Sequence, residues 1–143
     1  MGRLPIGREN IASLLGVVLF FLTRKQDAWM QIVLFTLSIL VAIGIAERAE
    51  QICREKDADL IVVGETCGMW ATLFFFGTIS STTLIIAFIL FRLFDHIKFF
   101  PLNVFESFRG GLGIIMDDLA AGMLTNFAIR TFIFIGILSG GTV

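Results

Sequence analysis

The chain has 143 residues, of which 57% are hydrophobic and only 16% charged, and its mean hydropathy is +0.91. Soluble domains of this size are less apolar, so the leading class is a membrane protein. The formal net charge of −1 gives none of the basic excess that a nucleic-acid surface needs, which argues against nucleic acid as a partner.

Arg3 and Arg8 precede an apolar run at 11–22, an arrangement that superficially resembles a signal peptide. The polar stretch TRKQD at 23–27 follows with no small-residue cleavage site, so the segment is read as retained. It is short for a crossing, which takes about 20 apolar residues, and reads as a weak or partly inserted span. Residues 28–46 and 119–138 are long enough to cross. Residues 66–94 are too long, because one helix there would measure roughly 43 Å at ~1.5 Å per residue. The run GTISSTT at 77–83 favours a turn. Two short helices, 66–77 and 83–94, are therefore expected in a tight hairpin. The whole reads as an all-α polytopic membrane bundle with four to five apolar helices, one domain over 1–143.

Five helices put the N-terminus and the 47–65 and 95–117 loops on one side. Arg3, Arg8, Arg48, Arg54, Lys56, Arg92, Lys98 and Arg109 fall there, and only Arg24 and Lys25 fall opposite. The positive-inside rule makes the first side cytoplasmic. Ser38, Ala42 and Ala46 form a small-residue strip suited to close helix packing. Asp118, Ala121, Gly122, Thr125 and Asn126 share a face expected to point inward, with Phe127, Phe132 and Phe134 mostly toward lipid. Arg130 is expected to snorkel or pair inside the bundle. Trp29 and Trp70 read as interface or packing residues, and His96 as interfacial. Cys53 and Cys67 have neither metal-ligand nor disulfide-framework spacing.

The chemistry concentrates at the cytoplasmic boundary. Glu65 is expected to open the third helix, Arg92 and Asp95 to close the fourth, and Asp117 and Asp118 to open the fifth. Individually these have structural explanations. Asp117 and Asp118 could cap a helix, and Arg92 and Asp95 could form an i,i+3 salt bridge. Acids at the ends of three converging helices are harder to explain as independent caps, and intramembrane acids are functional candidates by default. Carboxylate oxygens suit a hard cation such as Mg²⁺, whose shell is completed by waters and phosphate oxygens. Arg92, Lys98 and Arg109 could contact a phosphate, and Gly110, Gly111 and Gly113 permit close backbone approach.

Three blocks carry a family resemblance. KDADLIVVGETCGMW at 56–70 is similar to D-x-x-x-I-V-x-D-E-x-x-G-M-W. FRLFDHIKFFPL at 91–102 is similar to F-R-x-x-D-x-x-K-P-x-P-I. GGLGIIMDDLAAG at 110–122 is similar to G-G-x-G-I-M-x-D-D-x-x-A-G. In order and spacing they resemble phosphatidylglycerophosphatase A, a bacterial membrane lipid phosphatase. The resemblance implies Mg²⁺-dependent hydrolysis of phosphatidylglycerophosphate to phosphatidylglycerol and phosphate at the cytoplasmic leaflet of the inner membrane. It implies Glu65, Asp95, Asp117 and Asp118 as catalytic metal ligands, and Arg92, Lys98, Arg109, Gly110 and Gly111 around the substrate phosphate. The chain departs from the family at Gly64, where the pattern has an acid, at Phe99, where it has proline, and in the N-terminal P-G-T-x-G-S, reduced to PIGRENIAS at 5–13. Asp57, Asp59 or Glu9 could compensate. The alternative is a non-catalytic relative that binds anionic lipid or a cation. On the enzyme reading, a carboxylate added at Gly64 is expected to strengthen the metal site.

Overall fold

The structure is a computed structural model that describes residues 6–52, 58–97 and 111–136. The described residues form five α-helices and no strand: α1 (Ile6–Thr23), α2 (Ala28–Ile52), α3 (Ala58–Leu73), α4 (Ser81–Ile97) and α5 (Gly111–Phe134). The helices have local causes. After α1, the Arg24 amide donates to Phe20 O at 2.8 Å and the Gln26 amide to Thr23 O at 2.9 Å, closing a turn. Ser80 caps α4: its Oγ accepts the Thr83 amide at 3.2 Å, while its carbonyl accepts the Leu84 amide at 2.9 Å, the usual N-cap arrangement.

The chain does break within the long apolar stretch, between 74 and 80 rather than at 78–82. Helix α3 starts at Ala58, earlier than the expected 66, because Leu60 to Val63 continue the helix instead of leading into it. It stops at Leu73, where Phe75 turns left-handed at φ 62°. The last α3 carbonyls are satisfied from α5. Asn126 Nδ2 donates to Thr72 O and Phe74 O, both at 2.9 Å, and more weakly to Ala71 O at 3.3 Å. Arg130 Nη2 donates to Phe74 O at 3.1 Å, and Nε donates to Asn126 Oδ1 at 2.8 Å. Its guanidinium also stacks 4.5 Å from the Phe76 ring centroid. Arg130 thus pairs inside the bundle, capping the orphan carbonyls of a helix end.

Helix α3 is the centre of the bundle, packing most heavily on α5 and next on α1, while α4 leans more on α5 than on α3. Contact is close because glycines line it. A Cβ on Gly16 would lie 2.6 Å from Thr66 O and 2.8 Å from Met69 Cβ; a Cβ on Gly68 would lie 2.6 Å from Asp118 O; and one on Gly122 would overlap Gly68 O. Thr66 Oγ1 donates to Ala12 O at 3.0 Å, tying α3 to α1. Phe20, Met69, Trp70, Leu73 and Phe91 fill one apolar cluster; Ala42, Ala46, Ala71, Ile115 and Leu119 form another. Two members of the expected α2 strip, Ala42 and Ala46, are therefore its buried contact. The inward face of α5 is as expected: Asp118, Ala121, Gly122 and Thr125 are buried, while Phe127 and Phe134 are exposed. Buried Thr72 and Thr125 donate to the carbonyls of Gly68 (3.0 Å) and Ala121 (2.7 Å), so neither brings an unsatisfied hydroxyl into the core.

Segments 28–48 and 112–134 are long and apolar enough to cross a membrane; the apolar part of α1, 10–23, is shorter. Outward faces carry large exposed side chains, among them Leu14, Val18, Leu37, Leu40 and Val41.

The glycine contacts predict a sharp contrast. Gly122→Ala should lower stability by about 2 kcal/mol through overpacking. Gly44→Ala, whose Cβ would meet nothing within 4 Å, should raise it by up to about 1 kcal/mol through helix propensity. Thermal unfolding of the detergent-solubilised variants reads both. Equal effects would show that α3 and α5 do not touch at Gly122.

Candidate active site

The expected acids do converge, but not as helix caps. Glu65 lies inside α3, and Asp117 and Asp118 lie inside α5, because both helices begin earlier than the sequence suggests. An acid beyond the first turn gains little from a helix terminus, so the capping explanation fails. All three are buried, at 3%, 6% and 6% exposure. Arg92 and Asp95 do stand near the end of α4.

Arg92 links three helices. Its Nη1 donates to Glu65 Oε1 at 3.1 Å, and its Nη2 to Asn10 Oδ1 at 3.2 Å. One edge of the guanidinium is thus committed to α3 and α1, where the sequence suggested a cation reserved for phosphate. The carboxyl of its i,i+3 neighbour Asp95 meets that of Asp118 on α5. Glu65 and Asp117 are also near enough to Asp118 to repel it when ionised. Asp118 Oδ2 is buried with no hydrogen-bond partner among the described residues.

This cluster is open. Among the described residues, no three His, Cys, Asp or Glu side chains already stand as a closed metal-binding group. Its hard oxygen donors, the carboxyl contact between Asp95 and Asp118, and the orphaned Asp118 Oδ2 nevertheless fit a cation of the Mg²⁺ kind. Such an ion is commonly held by one or two carboxylates, with waters and phosphate oxygens filling the rest. Lys98, Arg109 and Gly110 lie outside the described residues, as does Asp57. Gly111 is the first residue of α5, and Glu9 and Asp59 lie on α1 and α3. His96 is exposed.

Asn10 was not expected here. Its signal was present: Asn10, Ser13 and Gly16 recur every three residues and share a face of α1, polar or small within an apolar helix. Ser13 is fully buried on that face, and Gly16 is its contact with α3.

The sequence pattern of phosphatidylglycerophosphatase A matches residues 1–133. The chain belongs to the phosphatidylglycerophosphatase A family. Curated relatives include an Escherichia coli phosphatidylglycerophosphatase A, 26% identical over 125 residues, covering 87% of this chain and 73% of the relative. A Bacteroides thetaiotaomicron protein, provisionally named a phosphatidylinositol-3-phosphatase, is 33% identical over 116 residues, covering 79% of this chain and 72% of its own. A Haemophilus influenzae phosphatidylglycerophosphatase A is 33% identical over 90 residues, covering 55% of each chain. No solved structure matches significantly. As a member of this family of phosphatases, the chain supports phosphatase activity in general, and its buried acids lie in the blocks that carry the resemblance.

The Arg92–Glu65 pair should behave as a coupled unit. Arg92→Met strands a buried carboxylate and should lower stability on the order of 3 kcal/mol. Glu65→Gln in the same background should recover most of that loss. A double-mutant cycle read by thermal unfolding measures the coupling; strictly additive losses would mean that the pair is not formed.

Proposed function

We propose that this chain hydrolyses the terminal phosphomonoester of phosphatidylglycerophosphate to phosphatidylglycerol and phosphate, with Mg²⁺, at the cytoplasmic leaflet of the bacterial inner membrane. The observation that carries the reading is the meeting of Glu65, Asp95, Asp117 and Asp118 with Arg92 at one end of a bundle whose outer faces are apolar. A phosphorylated lipid headgroup would reach that depth with its acyl chains still in the bilayer. Exposed apolar faces on α1 and α2 are stable against lipid and unfavourable in water. The Lys/Arg bias supports a cytoplasmic acid end in a proposed arrangement in which all five helices cross or enter the membrane and α3 and α4 form a hairpin.

Bound at Asp95, Asp118 and their neighbours Glu65 and Asp117, Mg²⁺ would polarise the phosphoryl group and offset carboxylate repulsion. The remaining work falls to the side chains. One carboxylate orients the attacking water and takes its proton as the new P–O bond forms. The P–O bond to glycerol breaks, and the leaving alkoxide takes up the proton that the carboxylate removed from water, which restores the carboxylate. Arg92, held by Glu65 and Asn10, presents its charge in a fixed orientation to the developing phosphate oxyanion. Lys98, Arg109, Gly110 and Gly111 are proposed to complete the phosphate cradle.

Asp117→Asn and Asp118→Asn keep side-chain shape while removing charge. Each should lower phosphate release from phosphatidylglycerophosphate by at least about a hundredfold, the scale of a lost acid–base or electrostatic group, while unfolding cooperatively. Near-normal turnover in both would return the acids to a structural role and favour a lipid- or cation-binding relative. Topology is checked separately. Single cysteines at Ser107 and Ser139, in a background lacking Cys53 and Cys67, should label from opposite sides, Ser107 from the cytoplasm. Labelling of both from one side would mean that α5 does not cross, and labelling of Ser107 from the outside would remove either the hairpin or the first span.

A further inference from the structure

Gly64 is where the chain departs from its family's acidic pattern, and the structure gives that glycine a task. Gly64 is buried on the α3 face that meets α5. A Cβ there would overlap Asp118 Oδ2, lying also 3.2 Å from Asp118 Cγ and 3.6 Å from Ile114 Cγ2. The same Oδ2 is a buried oxygen without a hydrogen-bond partner among the described residues. Two independent observations therefore meet at one point: a notch in α3, and an acidic oxygen from α5 seated in it.

We propose that Gly64 is a positioning residue for Asp118, and that Asp118 Oδ2 supplies from α5 the acidic oxygen that α3 lacks at position 64. This rests on the phosphatase reading above. The geometry leaves Asp118 little choice. Asp95, Glu65 and Asp117 lie near enough to its carboxyl to repel it when ionised. One turn along α3, Gly68 touches the α5 backbone at Asp118 and Gly122, so spreading the helices to admit a side chain at 64 would break that contact. The strain must instead turn Asp118 out of the notch and into the other acids. The expectation that a carboxylate at position 64 simply strengthens the site is thereby reversed. Gly64→Asp adds an acid only by displacing one already in place.

The test uses full-length purified protein and Mn²⁺ as probe, with binding read by electron paramagnetic resonance alongside Mg²⁺-dependent phosphate release. Gly64→Ala and Gly64→Asp should each weaken Mn²⁺ binding about tenfold or more, the scale at which a lost orienting partner disturbs a metal site. Both should raise the Mg²⁺ concentration for half-maximal release in parallel. In the Asp118→Ala background, Gly64→Asp should instead tighten Mn²⁺ binding. Unchanged or stronger binding by Gly64→Asp in the native background would overturn the proposal. Stability supplies an arm that needs neither metal nor turnover. Gly64→Ala should lower the unfolding temperature of the native chain but not that of Asp118→Ala, where the notch is empty; an equal drop in both overturns the proposal. A native chain that binds no Mn²⁺ and releases no phosphate contradicts the phosphatase reading instead, and the stability arm still decides whether Gly64 seats Asp118.

Discussion

The backbones of α3 and α5 touch at Gly68 and Gly122, and the arrangement of both polar ends of the bundle follows from that contact. Hydrophobic association adds little between helices in lipid, so closeness must come from small residues that let backbones meet and dispersion accumulate. Closeness then sets register. Four residues before Gly122, Asp118 is pressed against Gly64; four residues after it, Asn126 reaches the last α3 carbonyls. One crossing thus aligns an acidic cluster at one end and a helix-capping latch at the other. A side chain at either glycine would separate the helices and loosen both.

The acid end is held at an electrostatic disadvantage. Buried carboxylates are costly even when paired, and here Asp95 and Asp118 touch while Glu65 and Asp117 stand near. Arg92 offsets part of this by bonding Glu65, with Asn10 holding its second terminal nitrogen. A bundle selected for stability alone would replace such a cluster with apolar residues. On the proposed function, a bound cation would offset this repulsion beside Gly64.

Much of this could be read from the residues, and the failures have physical causes. The inward face of α5 was legible because small and polar residues recur on a helical period among phenylalanines. The α3–α4 break was legible from GTISSTT, although Phe75 and Ser80, rather than the glycine, set its edges. Helix starts were misplaced because Leu60 to Val63 and Gly111 to Met116 fit a loop entering a helix as well as the helix itself. That error made buried acids look like caps. Asn10 was overlooked because it stands in a weakened motif and its partner Arg92 lies 82 positions away in the chain, a contact that no local pattern reveals. The task of Gly64 was also hidden, since a glycine in sequence shows what is missing and only packing shows what fills the space.

The central claim is that these buried acids form a working, metal-dependent lipid phosphatase despite the glycine at 64. It is tested most directly with the native chain, purified in detergent and offered phosphatidylglycerophosphate, phosphatidylinositol 3-phosphate and phosphatidic acid in parallel, with Mg²⁺ or with chelator. The account predicts phosphate release from phosphatidylglycerophosphate above the other two lipids, lost on chelation and restored by Mg²⁺. No release from any lipid at any Mg²⁺ concentration, or release that persists in chelator, would contradict it.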